Sequence, residues 1–166
     1  LGAGTGSSQQ LFSNDWDWVG VDIFPEHESV TKEDAHNLSF PDNHFDLVIS
    51  IAVFEHLHSP WIAIKEISRV MKQGAFFLGT VAFLEPEHGH SFFHMTRRGI
   101  VHILKVGGLS EITVEPIEGW NVLTSMKIFP IPGMKYYNKL KAKLIFPMRS
   151  LLIRIRLLTL KGERKE

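Results

Sequence analysis

Short apolar runs rich in β-branched residues recur along the chain, and polar or amphipathic stretches separate them. The three clearest runs predict buried strands at residues 18–23, 45–50 and 75–83. Two further strands are expected at residues 112–114 and 122–129. No helical pattern separates this last pair, so we expect the two strands to pair antiparallel as a C-terminal hairpin.

Helical spacing occupies the stretches between the other strands. Ser59 and Pro60 suit the N-cap and the first position of a helix. The apolar residues that follow recur at three- and four-residue steps until Gly74 ends the pattern. Thr96 can cap a second helix that reaches Lys105. Strands that alternate with helices predict an α/β fold with a mostly parallel sheet and helices on both faces.

The zero net charge of the chain hides an uneven distribution. Residues 1–126 hold 7 of the 18 basic side chains and 16 of the 18 acidic ones, which leaves the rest of the chain strongly basic. This asymmetry predicts a globular domain over residues 1–129, followed by a basic extension over residues 130–166 that meets a partner.

Composition narrows the class of protein further. A length of 166 residues suits one domain with a single sizeable core. The chain contains no cysteine, which excludes a disulfide scaffold, a cysteine-ligated metal site and a cysteine nucleophile. No apolar run approaches the roughly 18 to 20 residues that span a bilayer, so we expect no transmembrane helix.

The chain opens on a glycine loop, in which Gly2, Gly4 and Gly6 alternate with other residues. Glycines between a strand and a helix allow tight turns and a close approach of a ligand to the backbone. The loop alone is a weak signal, because Ser7 stands where a dinucleotide fingerprint needs its third glycine. Asp22 strengthens it, since a carboxylate at the end of the next strand can accept hydrogen bonds from both hydroxyls of a ribose.

These features and several longer stretches together resemble one known family. The stretches are LGAGTG, VGVD, DAHNLSFPDNHFDLVISIAVFEHL, EISRVMKQGAFFLGTVAF and TRRGIVHILKVGGLSEI, within residues 1–114. In order and spacing they resemble the class I methyltransferases that use S-adenosylmethionine, and specifically those with a type 11 methyltransferase domain. The resemblance implies a Rossmann-like sheet of seven strands with a reversed last hairpin, and S-adenosylmethionine as the cofactor.

The resemblance also implies a role for individual residues. The three glycines match the loop around the methionine part of the cofactor, Asp22 matches the ribose-binding acid, and Asp34 and Ala35 match the pair that reads the adenine ring. A carboxylate can accept from the adenine amino group, and a backbone N–H can donate to a ring nitrogen. The expected cofactor-binding residues are Gly2, Gly4, Gly6, Asp22, Ile23, Asp34, Ala35, Ile51 and Ala52.

The family pattern begins before the first residue of this chain. The resemblance places the first strand of the sheet ahead of the glycine loop, between the strands near residues 19–23 and 47–50. We therefore expect the chain to be an N-terminally truncated fragment. We also expect a gap about 9.5 Å wide, twice the usual strand spacing, between those two strands.

Candidate catalytic groups are fewer than candidate binding groups. Glu55 and His56 follow the strand at residues 45–50, at the edge of the sheet where ligands bind. His56 can take a proton from an attacking nucleophile, although a structural role at a helix start is as well supported. The histidines at positions 88, 90 and 94 lack a recognised zinc spacing, so we expect no metal site and favour a loop over the acceptor substrate.

Residues 148–161 near the end of the chain predict an amphipathic helix, with a leucine and isoleucine stripe beside arginines. Such a helix can dock on the domain or a partner, which we favour, or lie on an anionic membrane surface. Nucleic acid is the least expected partner, because the aromatics of this segment do not suggest a stacking platform. The expected location is cytoplasmic, with peripheral membrane contact as the alternative.

The resemblance and the residues together predict methyl transfer from S-adenosylmethionine to a small-molecule or lipid-like acceptor. One alternative is an NAD(P)-dependent oxidoreductase, which the glycine spacing disfavours. Another is a non-catalytic adenosyl-binding module, or a membrane-associated partner subunit.

Overall fold

The computed structural model describes residues 1–13, 15–83, 85, 87–117 and 153–157, the last of these for the backbone alone. Six strands and two α-helices occur in these residues. The strands are β1 Gly20–Asp22, β2 Val30–Lys32, β3 Phe45–Ile51, β4 Met71–Val81, β5 Ile112–Pro116 and β6 Ile153–Leu157. The α-helices are α1 Pro60–Val70 and α2 Arg97–Val106, and short 3-10 helices cover Ser7–Leu11 and Phe54–His56.

The strands form two sheets. In the smaller one β1 and β2 pair parallel, and the larger one has the order β3, β4, β6, β5. Strands β3 and β4 run parallel, while β6 runs antiparallel to both of its neighbours. The expected parallel pairing is therefore present in both sheets, whereas a single seven-stranded sheet with a reversed C-terminal hairpin stays a prediction.

Helix α1 begins at Pro60 as predicted, but it ends at Val70 rather than at Gly74. The chain passes directly into β4, where Met71 pairs with Phe45. The next paired residues, Leu47 and Phe76, lie two residues further along β3 but five further along β4, so the second strand bulges. Gly74 has a φ of 81° within this bulge, which explains a glycine that the pattern assigned to a helix end.

Helix α2 has the N-cap that the sequence predicted. The Thr96 hydroxyl accepts a hydrogen bond from the Gly99 N–H at 3.1 Å. Ile100 and Leu104 on this helix are fully buried, as is Ile64 on α1. Burying each such side chain stabilises the fold by roughly 1.5–3 kcal/mol. Both α-helices contribute to one core cluster, so a helix layer on the opposite face of the sheet stays a prediction.

The C-terminal elements differ from the sequence-based expectation. The prediction of a helix over residues 148–161 is wrong for Ile153–Leu157, because these residues form strand β6 between β4 and β5. Apolar and basic residues alternate strictly from Ile153 to Leu157, and this period of two suits a strand. The hairpin partner expected for β5 at residues 122–129 lies outside the described residues, and β5 pairs with β6 instead. The boundary at residue 129 also lies outside them, so the two-part division stays a prediction.

A groove separates the two sheets. The Leu1 amino group donates to the Ile49 carbonyl at 2.7 Å on one side, and the Ala3 N–H donates to the Val21 carbonyl at 3.0 Å on the other. The groove has a volume of about 290 Å³, and Leu47 is among its lining residues. The glycine loop thus reaches both sheets from one end of this groove. Within the described part of the chain, no helix has the length and hydropathy needed to cross a membrane.

Candidate functional site

The glycine loop is shaped by backbone conformations that other residues rarely adopt. Gly2 and Gly4 have φ values of 67° and 48°. A Cβ atom on Gly2 would lie 2.3 Å from Cγ2 of Val53, far inside contact distance. The loop therefore passes as bare backbone against the segment that follows β3, and no side chain fits there.

Asp22 joins the loop to the end of β1. One carboxylate oxygen accepts from the Gly4 N–H at 2.9 Å, and the other accepts from the Phe24 N–H at 2.9 Å. Each carboxylate oxygen has a second lone pair, so Asp22 can hold the loop and still accept from a ligand hydroxyl. This geometry suits the predicted ribose-binding role, and it adds a structural role that the sequence did not indicate.

Asp34 and Ala35 line a pocket together with Gly2 of the glycine loop. The Asp34 carboxylate accepts from the His36 N–H at 2.9 Å, and its contact with the His36 Nδ1 is 2.6 Å. The hydrogen bond from the His36 backbone is the main cause that lowers the pKa of Asp34. Asp34 therefore presents an ionised carboxylate beside the pocket at neutral pH.

A pocket of about 240 Å³ joins these residues. Of the predicted cofactor residues and catalytic candidates, six line it, namely Gly2, Asp22, Ile23, Asp34, Ala35 and His56. Ile51 lines the groove between the sheets instead, and the Ala52 N–H donates to the backbone and hydroxyl oxygens of Thr80. Gly4 and Gly6 shape the loop but are not among the residues lining the pocket.

Two histidines in the pocket wall were not singled out from the sequence. The rings of His36 and His58 stack with centroids 4.1 Å apart and an angle of 13° between their planes. They come from two loops on either side of β3. His36 lies in the stretch that begins at Asp34 and His58 just beyond its end at Leu57, and only the fold shows that the two rings stack.

The two catalytic candidates, Glu55 and His56, lie in different environments. His56 lines the pocket, and burial, followed by the charge of His88, lowers its pKa. Glu55 is fully buried, and burial is the main cause that raises the pKa of its carboxyl to about 7. The Glu55 carbonyl accepts from the N–H groups of Phe92 and Phe93 at 2.7 and 3.1 Å, which anchors the segment after β4.

The three histidines after β4, at positions 88, 90 and 94, have different surroundings. His88 lies close to Glu55 and His56, and the three side chains bring potential ligand atoms within 4.8 Å of one another. The rings of His88 and His94 are 5.7 Å apart, whereas His90 is exposed. The structure thus groups His88 with two residues 32 and 33 positions away, and not with its sequence neighbour His90.

Comparisons with known proteins agree with this fold. Residues 1–79 match the family model of a methyltransferase domain, type 11. A methyltransferase from Archaeoglobus fulgidus superposes with a TM-score of 0.70 at 18% identity, covering 96% of this chain and 83% of that one. Phosphoethanolamine N-methyltransferase 2 from Haemonchus contortus, in complex with S-adenosylmethionine, gives 0.63 at 18% identity, covering 95% and 47%.

A third structure comes from Thermotoga maritima and is described as a possible histamine N-methyltransferase. It gives a TM-score of 0.58 at 19% identity, covering 70% of this chain and 64% of that chain. This chain therefore spans less than two thirds of two of the three relatives named. No curated protein sequence matches the chain.

The fold is that of the solved S-adenosylmethionine-dependent methyltransferases. Residues 1–79, just under half of the chain, match the model of the family with a type 11 methyltransferase domain. The family match agrees with the resemblance seen in the sequence, and the Haemonchus contortus structure contains the cofactor expected from it.

Proposed function

We propose that this protein transfers the methyl group of S-adenosylmethionine to a small-molecule or lipid-like acceptor. The observation that carries the proposal is the pocket that joins Gly2, Asp22, Asp34 and Ala35 at the carboxyl ends of β1 and β3. Ligands of open α/β sheets bind at this edge. The NAD(P)-dependent alternative is not retained, because the family match is to methyltransferases.

The residues of the pocket fit the cofactor. Asp22 accepts from the ribose hydroxyls through the lone pairs that the backbone bonds leave. Asp34 accepts from the adenine amino group, and the backbone of Ala35 donates to a ring nitrogen. The bare backbone at Gly2 lets the methionine part pass close to the loop.

The bound cofactor supplies a methyl group on a sulfonium, which is already a good leaving group. The task of the chain is then mainly to hold the acceptor in line with that methyl group, since orientation alone supplies much of the rate. His56 is the candidate proton acceptor, because it lines the pocket and its lowered pKa keeps the imidazole neutral at pH 7.

An exposed aromatic cluster beside the pocket supports an acceptor with an apolar part. The Phe92 side chain is 61% exposed and lies 6.3 Å, between ring centroids, from His58 in the pocket wall. Phe93 and Trp61 continue the cluster with centroids 6.2 Å apart. Large aromatic side chains are normally buried, so an exposed group of them next to a pocket suits the binding of an apolar ligand.

We also propose a central strand in the groove between β1 and β3, as the family resemblance implies. Hydrogen bonds from Leu1 and Ala3 to opposite walls of the groove support it, because they point the chain into the gap. Adding the upstream residues to the 166-residue chain should raise its affinity for S-adenosylhomocysteine and its melting temperature. Equal values for both chain lengths would contradict the strand.

Contact of the C-terminal region with a membrane stays a proposal, as does a cytoplasmic location. The membrane argument required a helical face over residues 148–161, and the strand β6 removes part of that face. Docking within the fold is therefore the better-supported role for residues 153–157. Sedimentation with anionic liposomes in low salt, with and without residues 148–166, separates the two.

The proposed activity is tested with methyl-labelled S-adenosylmethionine and a panel of acceptors. The panel includes polar amines, phosphoethanolamine and amphiphiles with an alkyl chain. Label should pass to an acceptor with an apolar part, and replacing Phe92 with serine should raise KM for that acceptor more than it lowers kcat. Cofactor binding without transfer to any acceptor would instead favour an adenosyl-binding module.

A further inference from the structure

A cluster of potential metal ligands includes His56, which also lines the pocket. Glu55 and His56 are consecutive residues on the 3-10 helix after β3, and His88 comes from the segment after β4. Their potential ligand atoms lie within 4.8 Å of one another. In a tetrahedral zinc site with bonds of about 2.0–2.1 Å, ligand atoms are about 3.3 Å apart. Small side-chain shifts of roughly 1 Å would therefore close the cluster around an ion.

Two of these side chains carry buried atoms that have no hydrogen-bond partner among the described residues. Glu55 is 1% exposed, and the unpartnered atom is its Oε2. In His56 it is the buried Nδ1. Buried polar atoms in native proteins nearly always have partners, so these two atoms point to a group that binds between them.

The surroundings of the cluster favour a cation. The Oε2 atom of Glu85 lies 3.9 Å from Nδ1 of His88, so a second carboxylate adjoins the imidazole. Within the described part of the chain, no ion pair with lysine or arginine involves Glu55. A buried carboxylate is stabilised by a positive charge close to it, and a divalent ion supplies that charge at the centre of the cluster.

We propose that Glu55, His56 and His88 bind a divalent transition-metal ion, with zinc as the best match to two imidazole nitrogens and one carboxylate oxygen. Three protein ligands leave a fourth position open. His56 also lines the cofactor pocket, so this position adjoins the place where an acceptor would lie. A coordinated acceptor oxygen loses its proton more readily, and this role, unlike metal binding itself, rests on the proposed methyl transfer.

Coordination gives His56 a role different from that of a proton acceptor, because a nitrogen bound to the metal cannot take a proton. The two roles are alternatives for the same side chain. The metal proposal also differs from a purely structural cluster, in which Glu55 stays protonated and shares hydrogen bonds with its neighbours. Direct measurement of metal binding distinguishes metal coordination from the proton-acceptor role and from the structural cluster. It needs neither the cofactor nor an acceptor.

The experiment uses the purified protein after removal of metals with a chelator. Zinc is titrated in competition with a chromophoric chelator, and cobalt(II) is titrated while its visible absorption is recorded. We expect one zinc per chain and a cobalt spectrum of tetrahedral type. His88→Gln and Glu55→Gln should each weaken zinc binding at least 100-fold, whereas His102→Gln, on the exposed side of α2, should leave it unchanged.

Zinc should also raise the melting temperature of the unsubstituted protein and not that of His88→Gln, a comparison that remains valid if Glu55→Gln misfolds. No saturable binding at one equivalent, or an octahedral cobalt spectrum, would overturn the proposal. So would zinc binding that His88→Gln leaves unchanged, because the metal would then lie elsewhere. Each of these results leaves the proposed methyl transfer standing.

Discussion

Replacing Asp22 with alanine removes one carboxylate that holds the glycine loop and that we propose also binds the ribose. Its oxygens accept from the N–H groups of Gly4 and Phe24, each at 2.9 Å, and they line the proposed cofactor pocket. A loss of affinity for S-adenosylhomocysteine alone would not show which task matters. The ribose role is isolated by a ligand that lacks the hydroxyls, so we compare adenosine with 2′,3′-dideoxyadenosine.

The expected magnitude follows from the bonds involved. Hydrogen bonds from the ribose to a charged carboxylate are worth about 1.5–3 kcal/mol, which corresponds to roughly a 10- to 150-fold preference for adenosine. In the unsubstituted protein this preference should be present. In Asp22→Ala it should fall to within about threefold of equal binding, because both nucleosides then lack the partner.

Calorimetric titration of each nucleoside in competition with S-adenosylhomocysteine measures the preference for adenosine. Asp46→Ala is the matched control, because Asp46 is exposed and pairs with Lys72 on the surface at 2.6 Å. It should keep the full preference for adenosine. Equal binding of the two nucleosides by the unsubstituted protein, or a preference that survives in Asp22→Ala, would refute the ribose assignment.

Three further substitutions test the loop, a cap and an ion pair. Gly2→Ala should cost about 1–3 kcal/mol of unfolding free energy, seen in denaturant titration, because a side chain there is strained and meets Val53; an unchanged midpoint would show that the loop sits differently. Thr96→Ala should cost about 1 kcal/mol through loss of the α2 cap, while Thr96→Ser should restore most of it; equal losses in both would argue against capping. The hydrogen bond with Arg69 is the main cause that lowers the pKa of Glu66. Its contribution is present at neutral pH, above the unfolded pKa, and is lost as the pH falls through the folded value. Melting curves should therefore show Glu66→Gln less stable than the unsubstituted protein at pH 7, by a margin that narrows as the pH falls below the ordinary glutamate pKa of 4.5. A constant difference would contradict the ion pair.

Local patterns predicted the elements whose partners are close in sequence. Thr96 and its helix follow from capping and spacing alone, and β3 follows from one apolar run. Helix α1 was extended too far because residues 71–74 keep helical spacing, whereas pairing of Met71 with Phe45 makes a strand. The sequence pattern predicts a helix in place of the last strand for a related reason. Apolar and basic residues alternate over only five positions of this strand, and over a longer window the spacing of the apolar residues favours a helix. Its pairing with β4 and β5 depends on the fold and cannot be seen in the local pattern.

The candidate site likewise combines residues that the sequence predicted with residues that only the fold brings together. Gly2, Asp22 and Asp34 line one pocket as the family resemblance implied. Asp22 and Asp34 follow the parallel strands β1 and β2, and the hydrogen bond from the Gly4 N–H to Asp22 holds the glycine loop beside them. The burial of Glu55 beside His88 could not be predicted, since 33 residues separate them and the contact depends on how the chain returns after β4. Sequence reasoning thus located the binding loop, while the histidine cluster required the fold.

The central claim, that the pocket binds S-adenosylmethionine for methyl transfer, is tested most directly by calorimetric titration of the full-length protein with S-adenosylhomocysteine and, separately, with NADH. We predict saturable binding of S-adenosylhomocysteine at one site, weakened in Asp22→Ala, and no saturable binding of NADH. Binding of NADH without binding of S-adenosylhomocysteine would contradict the account.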